Sequence, residues 1–496
     1  MADRAGFDVA VVGAGIGGLA VACLVARTGR SVLLLERAPE VGGVCRPLVP
    51  AGQEGLRFDL GATFLSGLQP AQSVGMLCQR LGLGLAATPC EPPFQVALPR
   101  HRLSLFSAAQ ACVREIRREC PADEAAWGSL WADLDTLEAE RNRLLQALPP
   151  LPPRGWRDRL RVWRLSGGRG RTGPRGELLR QAMGTSFREA LERHGFGPIG
   201  QRILEACLWF LALRAPEECT ALEAILALQP LRRGAMRVAG GAGALVEALA
   251  ARFGRDGGQL RLGTAVEHLL VERGGVRGVV TTEHETIRAR AVVAAVPPTA
   301  LTAGLLPGGR GLLRPRATLP SPWQAAVGTQ MLAVAVPGEL VPSALAEHCF
   351  VIRRPDQPAR DENLCVVRTP PPAPGTHDGL RMITVSRLLG VPALAAQGDP
   401  GAELFAAVEE LIPGARQQAA FQQVLGPAEL GELWGRPAGA VRYAPESREW
   451  LGRRGMAHDV GWPGLLVAGD WTFPGRLVAD VVEGAMEVAD TIIGWL

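Results

Sequence analysis

The sequence predicts an α/β protein whose first domain is assembled from separated pieces of the chain. Blocks in which short apolar or β-branched runs alternate with helical patterns recur at three places, 7–36, 237–298 and 464–495. The stretches between the blocks differ from them, because 101–236 is helical in pattern and 301–441 is rich in strand-like runs. Such alternation favours an open sheet covered by helices, followed by a second unit in which helices lie over a mixed sheet.

The domain boundaries follow from these blocks. We assign residues 1–100, 237–300 and 442–496 to the first, discontinuous domain, and residues 101–236 and 301–441 to the second domain, which would hold the substrate. The balance of 47% hydrophobic and 21% charged residues is that of a globular protein. A net charge of +4, spread along the chain, gives little reason to expect a nucleic-acid partner.

The amino-terminal block has the form of a dinucleotide-binding turn. Residues 7–12 predict a buried parallel strand, and the sequence G-A-G-I-G-G at 13–18 then opens a helix. Glycines at this spacing permit a tight turn, close approach of the backbone to a pyrophosphate, and close packing of helix on strand. A second strand at 31–35 ends in an acid, which suits hydrogen bonds from a ribose diol. The predicted contacts in this block are Gly13, Gly15, Ile16, Gly17, Gly18 and Glu36.

Two further glycine turns follow the acid. They are R-A-P-E-V-G-G at 37–43 and F-D-L-G-A-T at 58–63. With these turns the sequence resembles the FAD-dependent phytoene desaturase and carotenoid isomerase family, within the wider flavin amine oxidase superfamily. The resemblance implies a Rossmann-type FAD-binding domain in which both turns surround the flavin side of FAD. The contacts that it implies here are Arg37, Gly42, Gly43, Gly61, Ala62 and Thr63.

The resemblance returns in the other two blocks. In the second, it implies that the backbone of Val266 meets the adenine. In the third, an apolar strand at 464–468 leads into G-D-W-T-F-P-G and a long helix, similar to the closing G-D-x-T-x-P-G of the family. An acid at this turn suits a ribityl hydroxyl, and the helix N-terminus favours negative charge at the flavin. The implied contacts are Gly469, Asp470, Leu477 and Val478.

The resemblance also implies a chemistry. It is that of an FAD-dependent oxidoreductase of carotenoid biosynthesis, which desaturates an apolar polyene or terpenoid-like substrate by hydride transfer to flavin N5. A long apolar tunnel facing the flavin would suffice for such a substrate. Two alternatives stay open, namely a redox-neutral isomerase and a non-catalytic carrier in which FAD is structural.

A flavin amine or amino-acid oxidase is the main competing class. Enzymes of that branch commonly hold a water on flavin N5 with a lysine and cage the amine between aromatic rings, often tyrosines. This chain has no lysine, so all 53 of its basic residues are arginines, and Tyr443 is its only tyrosine. Tryptophan or phenylalanine can replace a cage ring, so this composition weakens the oxidase hypothesis and leaves it open.

The candidate catalytic residues lie at the start of the last helix. Asp480 and Glu483 are three residues apart, so they share a helix face and would form an acid/base pair if that face meets the cavity. The alternative is that they are first-turn acids which stabilise the helix N-terminus. Arg476 follows P-G where relatives tend to have small residues, and it would contact an FAD phosphate or a polar end of the substrate. These departures argue against a wholly hydrocarbon substrate.

One segment suggests a partner of another kind. From Arg154 to Arg175, arginines interleave with Trp156 and Trp163, as in segments that lie on anionic membranes. A solvated loop explains the segment equally well. We therefore expect a cytoplasmic protein, with peripheral attachment to the inner face of the membrane as an alternative. Ten scattered cysteines without C-x-x-C predict free thiols and no metal site.

Overall fold

The protein is described here by a computed structural model. The structure describes residues 6–53, 55–63, 65–148, 151–153, 156–167, 174–306, 322–372, 379–390, 393–394 and 399–496. Two large sheets organise these residues, one of seven strands and one of eight. The predicted α/β fold class, with a discontinuous Rossmann-type domain and a second domain of mixed sheet and helices, is confirmed.

The seven-stranded sheet combines all three sequence blocks. Its parallel part has the spatial order Gln259–Arg261, Val32–Leu35, Phe7–Val12, Thr286–Ala294 and Leu465–Val467. Two antiparallel strands extend it beyond Thr286–Ala294, namely Gly275–Thr281 and then Val266–Glu272. The central strands are continuous apolar runs because helices or other side chains cover both of their faces.

Three helices cover one face of this sheet. The first helix, Ile16–Ala26, is buried along its whole length and packs against the last helix, Val478–Trp495, and against Gly241–Arg255. Its small residues permit this close packing, because a larger side chain at Gly17 or Gly18 would meet Val481 or the backbone of Gly13. The first helix is therefore set tightly between the sheet and the last helix.

The eight-stranded sheet belongs to the second domain. Its spatial order is Phe421–Leu425, Gln324–Pro337, Leu380–Gly390, Leu364–Arg368, His348–Ile352, Phe94–Leu98 and His101–Leu105, with Arg442–Ala444 also paired to Gln324–Pro337. Sheet membership differs from our boundaries at two strands, since we placed Phe94–Leu98 and Arg442–Ala444 in the first domain. Phe94–Leu98 forms a hairpin with His101–Leu105, and our boundary at residue 100 cuts through its turn.

Helices make up most of the predicted helical insert and cover parts of the second sheet. One of them, Phe187–His194, begins with a capping box. The Glu189 carboxylate accepts a hydrogen bond from the Ser186 N–H at 2.7 Å, and the Glu189 N–H donates to Ser186 Oγ. The helix Ser73–Leu81 packs in the first domain's core against the first and last helices. The remaining α-helices are Ala109–Glu119, Glu124–Ala147, Trp156–Gly167, Pro174–Gly184, Phe187–His194, Pro198–Ala212, Ala221–Ala227, Gln229–Arg233, Pro400–Leu411 and Pro427–Trp434.

Short elements complete the chain. The short strands are Ala87–Cys90 with Ala235–Val238 and Glu449–Trp450 with Arg453–Arg454. The short helical turns are Gly43–Cys45, Pro121–Asp123, Pro298–Ala300, Leu301–Leu305, Gly338–Leu340, Asp361–Asn363 and Pro437–Gly439.

The structure also describes the state of the cysteines, the groupings of metal-ligating side chains and the character of the longer helices. All ten cysteines are free thiols, and all but Cys78 are buried. Within the ranges given above, no group of three or more histidine, cysteine or acidic side chains is arranged to hold a metal ion. No helix among the described residues combines the length and the apolar character needed to cross a membrane.

Candidate functional site

A cavity of about 450 Å³ lies at the carboxyl ends of the parallel strands. Val12, Leu35 and Ala468, which end or follow three of those strands, are in its wall. We call it the nucleotide cavity. Every residue predicted as a cofactor contact lines it, and these are Gly13, Gly15, Ile16, Gly17, Gly18, Glu36, Arg37, Gly42, Gly43, Gly61, Ala62, Thr63, Val266, Gly469, Asp470, Leu477 and Val478. Their individual roles stay predictions.

The glycines of the first turn have two different reasons to lack a side chain. A Cβ on Gly13 would lie 2.4 Å from the carbonyl oxygen of Ala295, and one on Gly18 would lie 2.0 Å from that of Gly13. These two glycines are required by the packing of the protein itself. A Cβ on Gly15 would meet no protein atom within 4 Å, so it would project into open space. That open cradle fits a pyrophosphate lying against the backbone.

Glu36 is held in place by the backbone. Its Oε2 accepts a hydrogen bond from the Ala14 N–H at 2.7 Å, and its Oε1 accepts from the Ala38 N–H at 2.9 Å. Each carboxylate oxygen has further acceptor capacity. The carboxylate is therefore fixed in the cavity wall with acceptor capacity left, and its bonds to a ribose diol stay a prediction.

Asp470 also lines the cavity and is paired with an arginine that sequence reasoning missed. Arg436 Nη1 donates to Asp470 Oδ2 at 2.5 Å and also contacts the carbonyl oxygen of Ala440 at 3.3 Å. Burial lowers the pKa of Arg436, but the Asp470 carboxylate outweighs that effect and keeps the guanidinium charged. This pair orients the acid that was predicted to accept from a ribityl hydroxyl.

A second cavity, of about 640 Å³, adjoins the first. The two share Val441, Asp470, Arg476 and Leu477 in their walls. We call it the charged cavity, because its other lining residues include arginines and acids in nearly equal number. They are Arg141, Arg214, Arg233, Arg442, Arg453 and Arg454 with Glu138, Glu223, Glu446, Asp480 and Glu483. This lining differs from the apolar tunnel that the resemblance implies.

Ion pairs account for most of these charges. Glu223 lies 3.6 Å from Arg214 and 3.0 Å from Arg454, and burial raises the pKa of its carboxyl. Glu446 contacts both Arg214 and Arg442. These groups come from the segment after residue 441 and from the helical insert, so the charges join the two domains across the cavity.

The three candidate catalytic residues are brought to this wall. Asp480 Oδ2 accepts a hydrogen bond from the Leu477 N–H at 3.2 Å, and burial raises the pKa of Asp480. Glu483 is half-exposed and pairs with Arg453 at 2.9 Å. Both acids line the charged cavity, while the bond to Leu477 also gives Asp480 a part in stabilising the helix N-terminus.

Arg476 lies where the two cavities meet. Its Nη2 donates to the Phe210 carbonyl oxygen at 2.5 Å, and its buried Nε has no hydrogen-bond partner among the described residues. Burial lowers the pKa of Arg476 to about 10, so it is a cation at neutral pH.

Comparison with known families identifies the protein family to which this chain belongs. The model of flavin-containing amine oxidoreductases matches residues 16–337, about two thirds of the chain. The protein is a member of the flavin-containing amine oxidoreductase family. FAD is the cofactor of this flavoprotein, and the glycine cradle, Glu36 and Asp470 provide a site that fits it.

Relatives of the flavoprotein include enzymes of polyene chemistry. The 4,4'-diapophytoene desaturase of Methylomonas sp. is 26% identical over 279 residues, which cover 55% of this chain and 50% of the desaturase. The all-trans-retinol 13,14-reductase of Homo sapiens is 29% identical over 124 residues, 24% of this chain and 20% of the reductase. The chain thus matches between a fifth and a half of the length of these relatives.

Among solved structures, an oxidoreductase of Methanosarcina mazei superposes on the flavoprotein with a TM-score of 0.65 at 15% identity. The match covers 97% of this chain and 99% of that one. At this identity the likeness concerns the fold, which is shared over nearly the whole length.

Several residues of the nucleotide cavity in the flavoprotein come from the second domain. Sequence reasoning missed them because no local motif marks a side chain that reaches the cavity only through the docking of the second sheet. These residues are Phe210, Thr329, Ser386, Leu388, Trp434 and Arg436.

Proposed function

We propose that this flavoprotein desaturates an apolar polyene or terpenoid-like substrate, or isomerises it, as an FAD-dependent oxidoreductase. The observation that carries the proposal is the sequence similarity to a desaturase and to a retinol reductase, both of which are named for polyene substrates. FAD, when bound, supplies the two-electron acceptor for such a reaction. Because the matched regions are partial, the substrate is part of the proposal.

The side chains near the cavity junction support a partly apolar substrate. Phe210, Leu388 and Val441 line the nucleotide cavity beside Arg476, which also opens to the charged cavity. Apolar groups at this point would hold a hydrocarbon segment and exclude water from the reacting carbons. In a desaturation one carbon loses hydride and its neighbour loses a proton, so a new C=C bond forms.

Asp480 is the residue that we propose for the proton. Its carboxylate lies in the cavity wall, and burial raises its pKa above the ordinary range for aspartate, which makes the ionised form a stronger base. Glu483 is a less suitable base because Arg453 pairs with it. Asp480→Asn should therefore slow turnover by about 10²-fold or more while FAD remains bound.

A second candidate function is amino-acid or amine oxidation, which the charged cavity favours. Its arginines suit a carboxylate, as an amino-acid substrate would present. Two observations argue against this function. The chain has no lysine. Tyr443 lines the charged cavity but not the nucleotide cavity, and burial raises its pKa to about 12.

Substrate delivery from a membrane surface is a further part of the proposal. Trp156 and Trp163 are 70% and 64% exposed and lie seven residues apart on the helix Trp156–Gly167, hence on one face. The Arg157 guanidinium lies 5.4 Å from the Trp156 ring centroid. Exposed tryptophans among arginines suit an anionic lipid surface on the inner face of the membrane. Of the predicted segment, Arg154, Arg169 and Arg171 lie outside the described residues.

Anaerobic flavin bleaching tests the proposed function. The FAD-loaded protein is mixed with acyclic carotenoid precursors in liposomes, and separately with soluble amines and amino acids. Bleaching by the lipid panel alone supports desaturation, and bleaching by an amine or amino acid overturns it in favour of the oxidase. Conversion of a polyene that requires reduced flavin without consuming it identifies an isomerase. Absence of any conversion in both panels indicates the carrier.

A further inference from the structure

Two arginines in the wall of the charged cavity, Arg141 and Arg476, have no carboxylate within ion-pair distance among the described residues. The other arginines in its wall each lie within ion-pair distance of a carboxylate, and these pairs are Arg214–Glu446, Arg233–Glu138, Arg442–Glu446, Arg453–Glu483 and Arg454–Glu223. By contrast, Arg141 makes one hydrogen bond, from Nε to the Leu451 carbonyl oxygen at 3.0 Å. Arg476 likewise bonds only a carbonyl oxygen, that of Phe210.

Burial of these two guanidinium groups costs folding free energy, because it removes charged groups from water. Arg141 is only 6% exposed, and burial lowers its pKa to about 9, while the Nε of Arg476 is buried without a partner in the described part of the chain. A desolvated cation without a directly paired acid is less well stabilised than a paired one, and a ligand anion would supply the missing partner. Both groups remain charged at neutral pH, because their pKa values stay above it.

The position of the pair is related to the proposed chemistry. Asp480, Arg141 and Arg476 line the same cavity, and the Asp480 carboxylate stabilises both guanidinium charges, as Glu483 does for Arg141 and Asp470 for Arg476. Arg476 also lies at the junction with the nucleotide cavity. An anion held by the two arginines would therefore lie close to the site of reaction.

The same cavity has an apolar part of its wall. The apolar lining residues include Met76, Leu145, Leu211, Leu226, Trp323 and Met486. A cavity of about 640 Å³ with such a mixed wall suits a ligand that is itself amphipathic. Neither a bare hydrocarbon nor a small polar ion would complement both parts.

We propose that Arg141 and Arg476 bind the carboxylate of the substrate, and that the substrate is an amphipathic acid with an apolar chain. Guanidinium groups bind carboxylates through two parallel hydrogen bonds, which fixes the orientation of the ligand as well as its charge. This inference rests on the proposed function and names the substrate class of the same site. It accounts for a charged cavity in a chain that is similar to enzymes of polyenes.

Equilibrium binding to the oxidised FAD-loaded protein tests the inference without turnover. The probes are all-trans-retinoate and all-trans-retinol in the same neutral detergent, followed by the change in the flavin absorption spectrum. The wild type should bind the acid at least about tenfold more tightly than the alcohol, since charged hydrogen bonds of this kind contribute on that scale. Equal affinity for the two probes would overturn the inference, whatever the bleaching panels show.

Variants assign the effect to the two arginines. Arg141→Gln and Arg476→Gln should each bring the preference for the acid to within about twofold, and Arg476→Lys should restore part of it. Arg255→Gln, on the exposed end of Gly241–Arg255, is the control and should keep the full preference. FAD content and the melting temperature show whether each variant has folded.

Two other results would overturn the inference. If Arg476→Gln weakens FAD binding and leaves the acid preference intact, Arg476 serves an FAD phosphate. If leucine perturbs the flavin spectrum of the wild type and retinoate does not, the carboxylate belongs to an amino acid and the amphipathic class is wrong. Because binding is measured apart from bleaching, failure of this inference is distinguishable from failure of the proposed desaturation.

Discussion

Arg436 and Asp470 form a partly buried ion pair, with Nη1 of the arginine 2.5 Å from Oδ2 of the aspartate. The arginine follows a helix of the second domain, Pro427–Trp434, whereas the aspartate follows the last strand of the first domain, Leu465–Val467. The pair therefore connects the two domains at the wall of the nucleotide cavity, and it fixes the orientation of the carboxylate predicted to meet FAD.

Removal of the arginine should weaken FAD binding although it need not contact FAD. Arg436→Gln leaves the partly buried Asp470 without its counter-ion, so we expect the dissociation constant for FAD to rise about tenfold or more. Asp470→Asn should have a similar effect, and the double variant should be less than additive because both residues act through one pair. Flavin fluorescence titration of the FAD-free protein measures these values.

The matched control for this series is Asp356→Asn, an exposed acid outside both cavities. It should leave FAD affinity unchanged. Strictly additive effects of the two single variants would show that Arg436 and Asp470 contribute independently, contrary to the geometry.

The glycine turn gives a second prediction. Gly15→Ala adds a methyl group that meets no protein atom within 4 Å, so the protein should fold with its melting temperature in the FAD-free form nearly unchanged. The same methyl group lies where we expect the pyrophosphate, so FAD affinity should fall by about 10²-fold or more. Thermal unfolding with and without FAD measures both effects.

Two other glycines serve as controls for the Gly15→Ala variant. Gly18→Ala should destabilise the FAD-free protein itself, because its Cβ would lie 2.0 Å from the Gly13 carbonyl oxygen. Gly254→Ala, in a helix and with open space around it, should affect neither property adversely. If Gly15→Ala binds FAD normally, the pyrophosphate does not lie on this turn.

His348 should make the stability of the protein depend on pH. It is 2% exposed, its Nε2–H donates to the Thr63 carbonyl oxygen at 3.0 Å, and burial lowers its pKa to about 4. Between pH 6.5 and 4 the unfolded chain binds a proton at this position and the folded protein does not, so the free energy of unfolding falls as the pH is lowered. The loss attributable to His348 is about 3 kcal/mol across that interval.

Comparison with His348→Gln isolates this contribution. Urea denaturation at several pH values from 7 to 4.5 should show a smaller loss of stability in the variant than in the wild type. Glu347 titrates lower, since the neighbouring cations hold its pKa at about 2 against the effect of burial. His284→Gln, at an exposed histidine, should follow the wild type, and parallel curves for wild type and His348→Gln would contradict the assignment.

The exposed tryptophans predict vesicle binding. In sedimentation with vesicles of anionic phospholipid, the wild type should pellet, and replacement of Trp156 and Trp163 by serine should reduce the bound fraction by about tenfold or more. Binding should also weaken as salt is raised, because the neighbouring arginines interact with lipid charge. Trp495→Ser, at a half-exposed tryptophan on the last helix, is the control. Equal binding of all three proteins would exclude the helix Trp156–Gly167 as the contact.

The nucleotide cavity was predictable because its chemistry is local. The turn at 13–18, Glu36 and the segment 469–478 carry their function in short motifs, and each lies at the end of a parallel strand where the fold brings it to the same edge. The three blocks of the first domain also follow from local patterns of strand and helix, and the seven-stranded sheet joins them as expected.

The charged cavity was not predictable in the same way. Arg141 lies on a long helix of the insert and Glu446 in an irregular segment, and nothing in either local sequence indicates that both face one space. The hairpin that places Phe94–Leu98 in the second sheet is another case, since its partner strand His348–Ile352 lies about 250 residues away along the chain. Such pairings depend on tertiary packing rather than on local propensity.

The order of strands in the first sheet also constrains biosynthesis. Phe7–Val12 is made early, yet one neighbour, Thr286–Ala294, and the strand beyond it, Leu465–Val467, emerge from the ribosome only after long intervening stretches. The apolar first helix packs against the helix Gly241–Arg255 and against the last helix, both of which are synthesised long after it. The complete nucleotide cavity therefore cannot form during synthesis before the last helix has emerged, and FAD cannot be captured by the complete site earlier than that.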